Sequence, residues 1–306
     1  MQEGQTMDIS VALGGGGARG LAHIGVLYAL ERAGFRIRAI AGTSIGGIIG
    51  AMYASGYSPP ELVHWADTSV HRDLFRARPF GAGLIGMERI EALLRETLAD
   101  RTFEELAVRC AVTATDLESG AEIVLSEGRL VEAVLATIAL PGVFPPQLVG
   151  ASRLIDGGIV DPVPVRPARA LFTGPVVAVA LSPAREEWAD SRSPNPLASL
   201  PILDMFIRLR PGEALKVFLR TTEILMRMYT ELRLELDRPD IIIRPRVSHI
   251  GMFDRPSAAD MCKLGESATE LILPQLRAEF GAGRRLARSL RAALRRGGSN
   301  AGENGS

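Results

Sequence analysis

Three short blocks hold residues able to do chemistry: Gly14-Gly15-Gly16-Gly17-Ala18-Arg19-Gly20, Gly42-Thr43-Ser44-Ile45-Gly46 and Leu154-Ile155-Asp156-Gly157-Gly158. The middle block is a G-x-S-x-G. At a sharp strand-to-helix turn such a serine sits in a strained backbone conformation that exposes its hydroxyl, and glycines two positions either side remove Cβ atoms that would collide. The chemistry is nucleophilic attack on an acyl carbonyl. The same serine would also make a good N-cap for the following helix, so the block alone leaves both roles open. A glycine-rich loop supplies backbone N–H donors, which acyl transfer requires where the tetrahedral oxyanion forms.

The glycine block has a second reading. Gly15 to Gly20 satisfies G-x-G-x-x-G, the dinucleotide fingerprint, which requires a carboxylate at the end of the next strand to hold the ribose hydroxyls. Here that strand ends in Ala39-Ile40-Ala41-Gly42, preceded by Arg36 and Arg38. No acid is available, which argues against a nucleotide.

A serine nucleophile needs a base. Of His23, His64, His71 and His249, only His249 follows a late strand as a triad histidine would. Asp156 is the other candidate, at the end of an apolar strand before two glycines, although an Asp-Gly hairpin turn explains the same residues.

The elements around these blocks alternate. Ile9 to Leu13 reads as a strand, Leu21 to Ala33 as a helix ended by Gly34, Arg38 to Ala41 as a strand, and Ile45 to Ser55 as a small-residue helix. Strands are expected at 109–115, 122–125, 176–181 and 240–243, with a helix at 130–138 and a long helix before the last strand. This alternation predicts a three-layer α/β/α domain with a largely parallel central sheet, in which the loop after the first strand lies beside the turn after the second.

The 306 residues carry 47% hydrophobic and 23% charged residues and no formal net charge, which excludes a global electrostatic pull toward nucleic acid. Cys110 and Cys262 lie far apart with no CxxC spacing, and neither a D-x-D-x-D-G loop nor a His/Cys/Asp cluster occurs, so no metal and no cofactor is expected. Met1 to Ser10 has acids and no apolar run, so a cytoplasmic protein is expected. The charge-poor stretches 39–60 and 133–152 match a membrane span in length, but the first is rich in Gly and Ser and the second carries Pro141, Pro145 and Pro146.

In order and spacing, Gly15-Gly16-Gly17-Ala18-Arg19-Gly20, Gly42-Thr43-Ser44-Ile45-Gly46 and Asp156-Gly157-Gly158 resemble the three signature blocks of the patatin-like phospholipase family, in its bacterial branch related to neuropathy target esterase. The flanks 136–146 and 161–165 are similar to the family's flanking blocks. The resemblance implies a patatin-like fold and a Ser-Asp dyad, with Ser44 as nucleophile and Asp156 as general base. It also implies an oxyanion hole from the amides of Gly15, Gly16 and Gly17 with Ile45. Gly20, Gly42, Gly46, Gly157 and Gly158 fall on its motif positions. Arg19, grouped with the oxyanion loop, is expected to pin that loop. The substrate implied is a phospholipid or lysophospholipid ester. Two alternatives stand beside it: a Ser44-His249 triad esterase for small esters, and a regulatory protein of low turnover on the same fold.

A lipid hydrolase needs an apolar channel. Residues 197–209 and the helix 213–236, with Phe218, Leu225, Met228 and Leu232, could form a covering layer or acyl pocket, against ordinary core packing of an amphipathic helix. A single hydrolase domain is expected over 7–283, followed by a tail over 284–306. Its arginine-rich helix reads either as a solvated tail or as a peripheral contact with anionic headgroups at the inner membrane surface, and its Gly/Ser/Asn-rich end reads as disordered.

Overall fold

The computed structural model describes residues 7–70, 86–188 and 210–280. The expectations for 197–209, His71 and the tail 284–306 lie outside these residues. In chain order the elements are β1 (Met7–Leu13), α1 (Ala22–Arg32), β2 (Phe35–Thr43), α2 (Ile45–Ala54), α3 (Pro59–Val70), α4 (Glu88–Leu98), β3 (Arg109–Asp116), β4 (Glu122–Leu125) and α5 (Leu130–Thr137). They continue as β5 (Gln147–Val149), β6 (Ser152–Asp156), α6 (Val165–Leu171), β7 (Val176–Val179), α7 (Arg210–Asp237), β8 (Ile241–Ile243) and α8 (Ala258–Phe280). The chain divides into two compact units, Met1–Glu270 and Leu271–Ser306, and the glycine loop, Ser44 and Asp156 belong to the first.

Eight strands form one sheet, with β1, β2, β3, β7 and β8 all parallel. Buried on both faces, these strands read as apolar runs: β1 is buried from Ile9 to Leu13 and β7 throughout. The two faces separate by parity. Ala12 and Ala41 are register partners and cluster with Val165 and Ala168 of α6 and Leu234 of α7. On the opposite face, a Cβ placed on Gly50 of α2 would meet Ile40 and Leu13. Helices therefore cover both faces of one mixed α/β sheet.

The antiparallel strands sit at β3. Thr113 pairs with Thr43 of β2 on one side and with Val124 of β4 on the other, so β2 and β4 occupy opposite edges of β3. Ala114 and Thr115 also pair with β4, yet they pair with Asp156 and Ile155 of β6 as well. β6 therefore shares the β2 edge. β2 runs parallel to β3 and β6 antiparallel, so their C-terminal ends meet head to head, at Thr43 and Asp156.

Helix α7 departs from simple core packing. Leu219, Thr230 and Leu234 are buried and Met226 reaches a cavity, whereas Phe218, Leu225, Met228 and Leu232 are exposed. Its Arg233 lies 3.2 Å from Asp161, 3.1 Å from Asp237 and 3.8 Å from Glu122 of β4, joining helix, strand edge and the loop after β6. Cys110 and Cys262 are free thiols, both buried.

Candidate active site

Ser44 is the link between β2 and α2, at φ 55° and ψ −124°, outside the conformations an L-residue favours. The turn is tight enough that a Cβ on Gly42 would come within 2.3 Å of the Gly46 carbonyl oxygen, and one on Gly46 within 2.2 Å of the Leu13 carbonyl oxygen. Only glycine fits either place. The Ser44 amide donates to Thr137 Oγ1 of α5 at 2.9 Å, and the carbonyl accepts from Gly47 and Ile48. Ser44 heads α2 without a side-chain capping bond, so the N-cap role is not the one its hydroxyl plays. The residue is half-buried, it lines one cavity with Asp156, and its hydroxyl favours the ionised form of the Asp156 carboxyl.

Asp156 is 2% exposed. Its amide donates to the Ala139 carbonyl at 3.0 Å, its carbonyl accepts from Thr115 Oγ1 at 3.2 Å, and its Oδ1 accepts from the Gly158 amide at 2.8 Å. Burial pushes the carboxyl up to about 6, against the opposing pull of the Ser44 and Gly158 hydrogen bonds. A Cβ on Gly157 would strike the Thr113 carbonyl oxygen at 2.3 Å, so this turn too is closed to larger residues. Beneath the pair, Thr113 donates to Thr43 Oγ1 at 2.7 Å and Thr43 donates to the Asp161 carbonyl at 2.8 Å, tying β2, β3 and the loop after β6 together.

The glycine loop lies beside Ser44, with a position different for each residue. The Gly15 amide donates to the Pro162 carbonyl at 3.0 Å, and Gly15 lies outside the lining of the cavity that contains Ser44. It is thus a fixed point of the loop, with its N–H committed elsewhere. Gly16, Gly17 and Ile45 line that cavity with Ser44 and Asp156. Among the described residues the Gly16 and Gly17 amides donate to no backbone carbonyl, and Ile45 opens α2, where amides lack intrahelical partners. At Gly17, φ is 60° and a Cβ would lie 2.3 Å from the Met252 carbonyl oxygen. The segment after β8 cradles the loop: Ala18 donates to Met252 O at 2.9 Å and Arg19 Nε to Ile250 O at 2.7 Å. Arg19 also donates to Glu223 of α7 at 2.6 Å, with both side chains buried. Its guanidinium pins the loop, so the side chain itself is no oxyanion donor. Burial would raise the Glu223 carboxyl, but Arg19 and Arg220 outweigh it and hold it low.

The histidines go elsewhere. His249 is exposed and absent from the cavity lining, and His64 is exposed on α3. His23 is buried on α1, where Nε2–H donates to the Gly14 carbonyl at 2.8 Å and desolvation depresses its ionisation to about 4. It serves the loop as a neutral donor. The cavity in front of Ser44 measures about 230 Å³ and is walled by apolar side chains including Ile48, Leu94, Ile138, Phe144 and Met226. No cluster of His, Cys, Asp and Glu suited to a metal ion occurs among the described residues. Sequence reasoning missed Thr137, Ala139, Glu223 and Pro162. Thr137, Ala139 and Pro162 fall within or beside the flanking blocks, which was their signal, whereas Glu223 had none.

Comparison with known proteins bears on the same blocks. The chain is 36% identical over 190 residues to an NTE family protein of Mycobacterium bovis, covering 61% of this chain and 52% of that protein. It is 31% identical to the Lysophospholipase NTE1 of Saccharomyces cerevisiae, covering 60% of this chain and 12% of that one. It is 33% identical to the human patatin-like phospholipase domain-containing protein 6, covering 56% and 13%. The match therefore takes in about half the length of the mycobacterial relative and a small part of the other two. Among solved structures, VipD from Legionella pneumophila aligns over 89% of this chain and 67% of its own, with a TM-score of 0.48 and 13% identity. The patatin-like phospholipase profile matches residues 11–169, which hold the glycine loop, the Ser44 turn and Asp156. The chain belongs to the patatin-like phospholipase family.

Proposed function

We propose that this protein is a serine lipid acyl hydrolase that cleaves carboxylic esters of phospholipids or lysophospholipids through a Ser44-Asp156 dyad. The observation that carries this reading is the juxtaposition of a strained, half-buried serine and a buried carboxylate at the wall of one apolar cavity. Asp156 accepts the Ser44 proton as Oγ attacks the ester carbonyl, and the oxyanion is met by the amides of Gly16, Gly17 and Ile45. Collapse of the tetrahedral species returns the proton to the leaving alcohol and leaves an acyl-serine. Asp156 then takes a proton from water, whose attack releases the fatty acid and restores the serine. The apolar cavity suits the acyl chain, and the proposed mechanism asks for no histidine, metal or cofactor. The catalytic unit is the single domain 7–283. No helix among the described residues is long and apolar enough to cross a membrane, and the lipid would be met by peripheral contact at the inner membrane surface of the cytoplasm.

Fluorophosphonate labelling and fatty-acid release from mixed phospholipid and lysophospholipid vesicles test the reading. Wild type and His249→Ala should label and turn over alike, while Ser44→Ala and Asp156→Ala lose at least about a thousandfold in kcat/KM. Loss of activity in His249→Ala with Asp156→Ala active would replace the dyad by a triad, and an inert wild type would favour a regulatory role.

A further inference from the structure

One wall of the cavity in front of Ser44 is shared. Trp65 and Ser69 of α3 and Leu93 of α4 line it, and the same three residues line a second cavity of about 530 Å³. That second space touches neither Ser44, Asp156 nor the glycine loop, and its other lining includes Glu61, His64 and Glu96. Three side chains thus stand between an apolar chamber holding the nucleophile and a more polar one.

The partition is a set piece. Trp65 Nε1–H donates to Thr97 Oγ1 at 3.0 Å, and the Thr97 hydroxyl donates to the Leu93 carbonyl at 2.8 Å, which ties the indole to the helix opposite. Ser69, 6% exposed, has a buried hydroxyl with no hydrogen-bond partner among the described residues. Ordinary core packing gives no reason for a bare hydroxyl there. Trp65 borders both spaces, so it does more than fill the gap between α3 and α4.

We propose that Trp65, with Ser69 and Leu93, ends the acyl-binding cavity and sets the length of chain the enzyme accepts; this rests on the hydrolase reading above. Each methylene that stays within the apolar chamber adds to transition-state binding. The first to reach the indole must displace it or remain in water, so the gain stops there.

The experiment is a series of p-nitrophenyl esters from acetyl to palmitoyl, with kcat/KM measured for the full-length wild type, Trp65→Ala and Leu93→Ala. The wild-type profile should rise with chain length and then break. Both variants should move the break to longer chains and raise the long-to-short ratio of kcat/KM by about tenfold or more. Profiles of unchanged shape in both variants, with folding verified by melting temperature, overturn the partition and leave the hydrolase reading standing. A second measurement needs no turnover. In a Ser44→Ala, Trp188→Phe protein, Trp65 is the single tryptophan, and its emission is followed while saturated fatty acids from hexanoate to palmitate are added. A response confined to chains beyond a threshold length supports the proposal. A response independent of length, or none although the acids bind, overturns it. Absence of any Ser44-dependent hydrolysis sinks the hydrolase reading, and the partition as well if Trp65 emission is also silent.

Discussion

Asp156 is held where ionisation is unfavourable, and this is what suits it to take a proton from serine. With its carboxyl pushed up to about 6, kcat/KM should fall on the acid side along a single limb near that value. A pH profile on a short ester checks it, and a limb near 4 would place the working base in water. The same shift predicts a stability effect of definite sign. A folded-state value above the unfolded one favours the fold below pH 4, and that support is lost as pH rises to about 6. Asp156→Asn, which cannot ionise, should therefore gain on wild type by up to about 3 kcal/mol between pH 4 and 7, while losing activity. Urea denaturation at both pH values measures it. At this scale Ser44 stood out by residue type and spacing, whereas Asp156 came forward only with the family resemblance, because an Asp-Gly turn explains the same residues. The division of labour among the glycines was not: Gly15 and Gly16 look identical in the chain, and only the Pro162 carbonyl, brought in by the loop after β6, tells them apart.

At the scale of elements, α7 does two jobs that its apolar periodicity did not reveal. Glu223 holds Arg19 and so the glycine loop, and Arg233 is shared by Asp161, Glu122 and Asp237. The Asp161 carboxyl is pushed up by burial, with Arg233 opposing and Glu122 and Asp237 adding to the rise. Removing the cation leaves buried carboxylates unopposed, which costs about 3–5 kcal/mol. Arg233→Ala should show that loss at pH 8 and recover much of it at pH 5, where the carboxylates take up protons; denaturation curves at the two pH values decide. A loss equal at both would mean that packing, not charge, was removed. The alternation of strand and helix was readable because each parallel strand is an apolar run ended by glycine or a helix signal. The exposure of Phe218, Leu225, Met228 and Leu232 was not, since periodicity tells which residues share a face and not what lies opposite.

Across the whole molecule, the parallel strands and the helices on both faces follow from sequence pattern, and the family profile, over residues 11–169, takes in β2 and β3 but ends before β7 and β8. What pattern could not supply is the placement of β6 against β3, since pairing on that edge is decided by registers between distant segments.

That placement also bears on when activity arises as the chain folds. Ser44 and Asp156 come from strands that reach the β3 edge from opposite directions, so neither can be brought to the other by local structure alone. Under the proposed dyad the molecule is then its own reporter of topology: secondary structure can form first, but the serine becomes reactive only once both strands have docked. In refolding from denaturant, fluorophosphonate labelling should lag behind the recovery of far-ultraviolet circular dichroism. Substitutions confined to the β5–β6 hairpin should lengthen that lag more than those in α1.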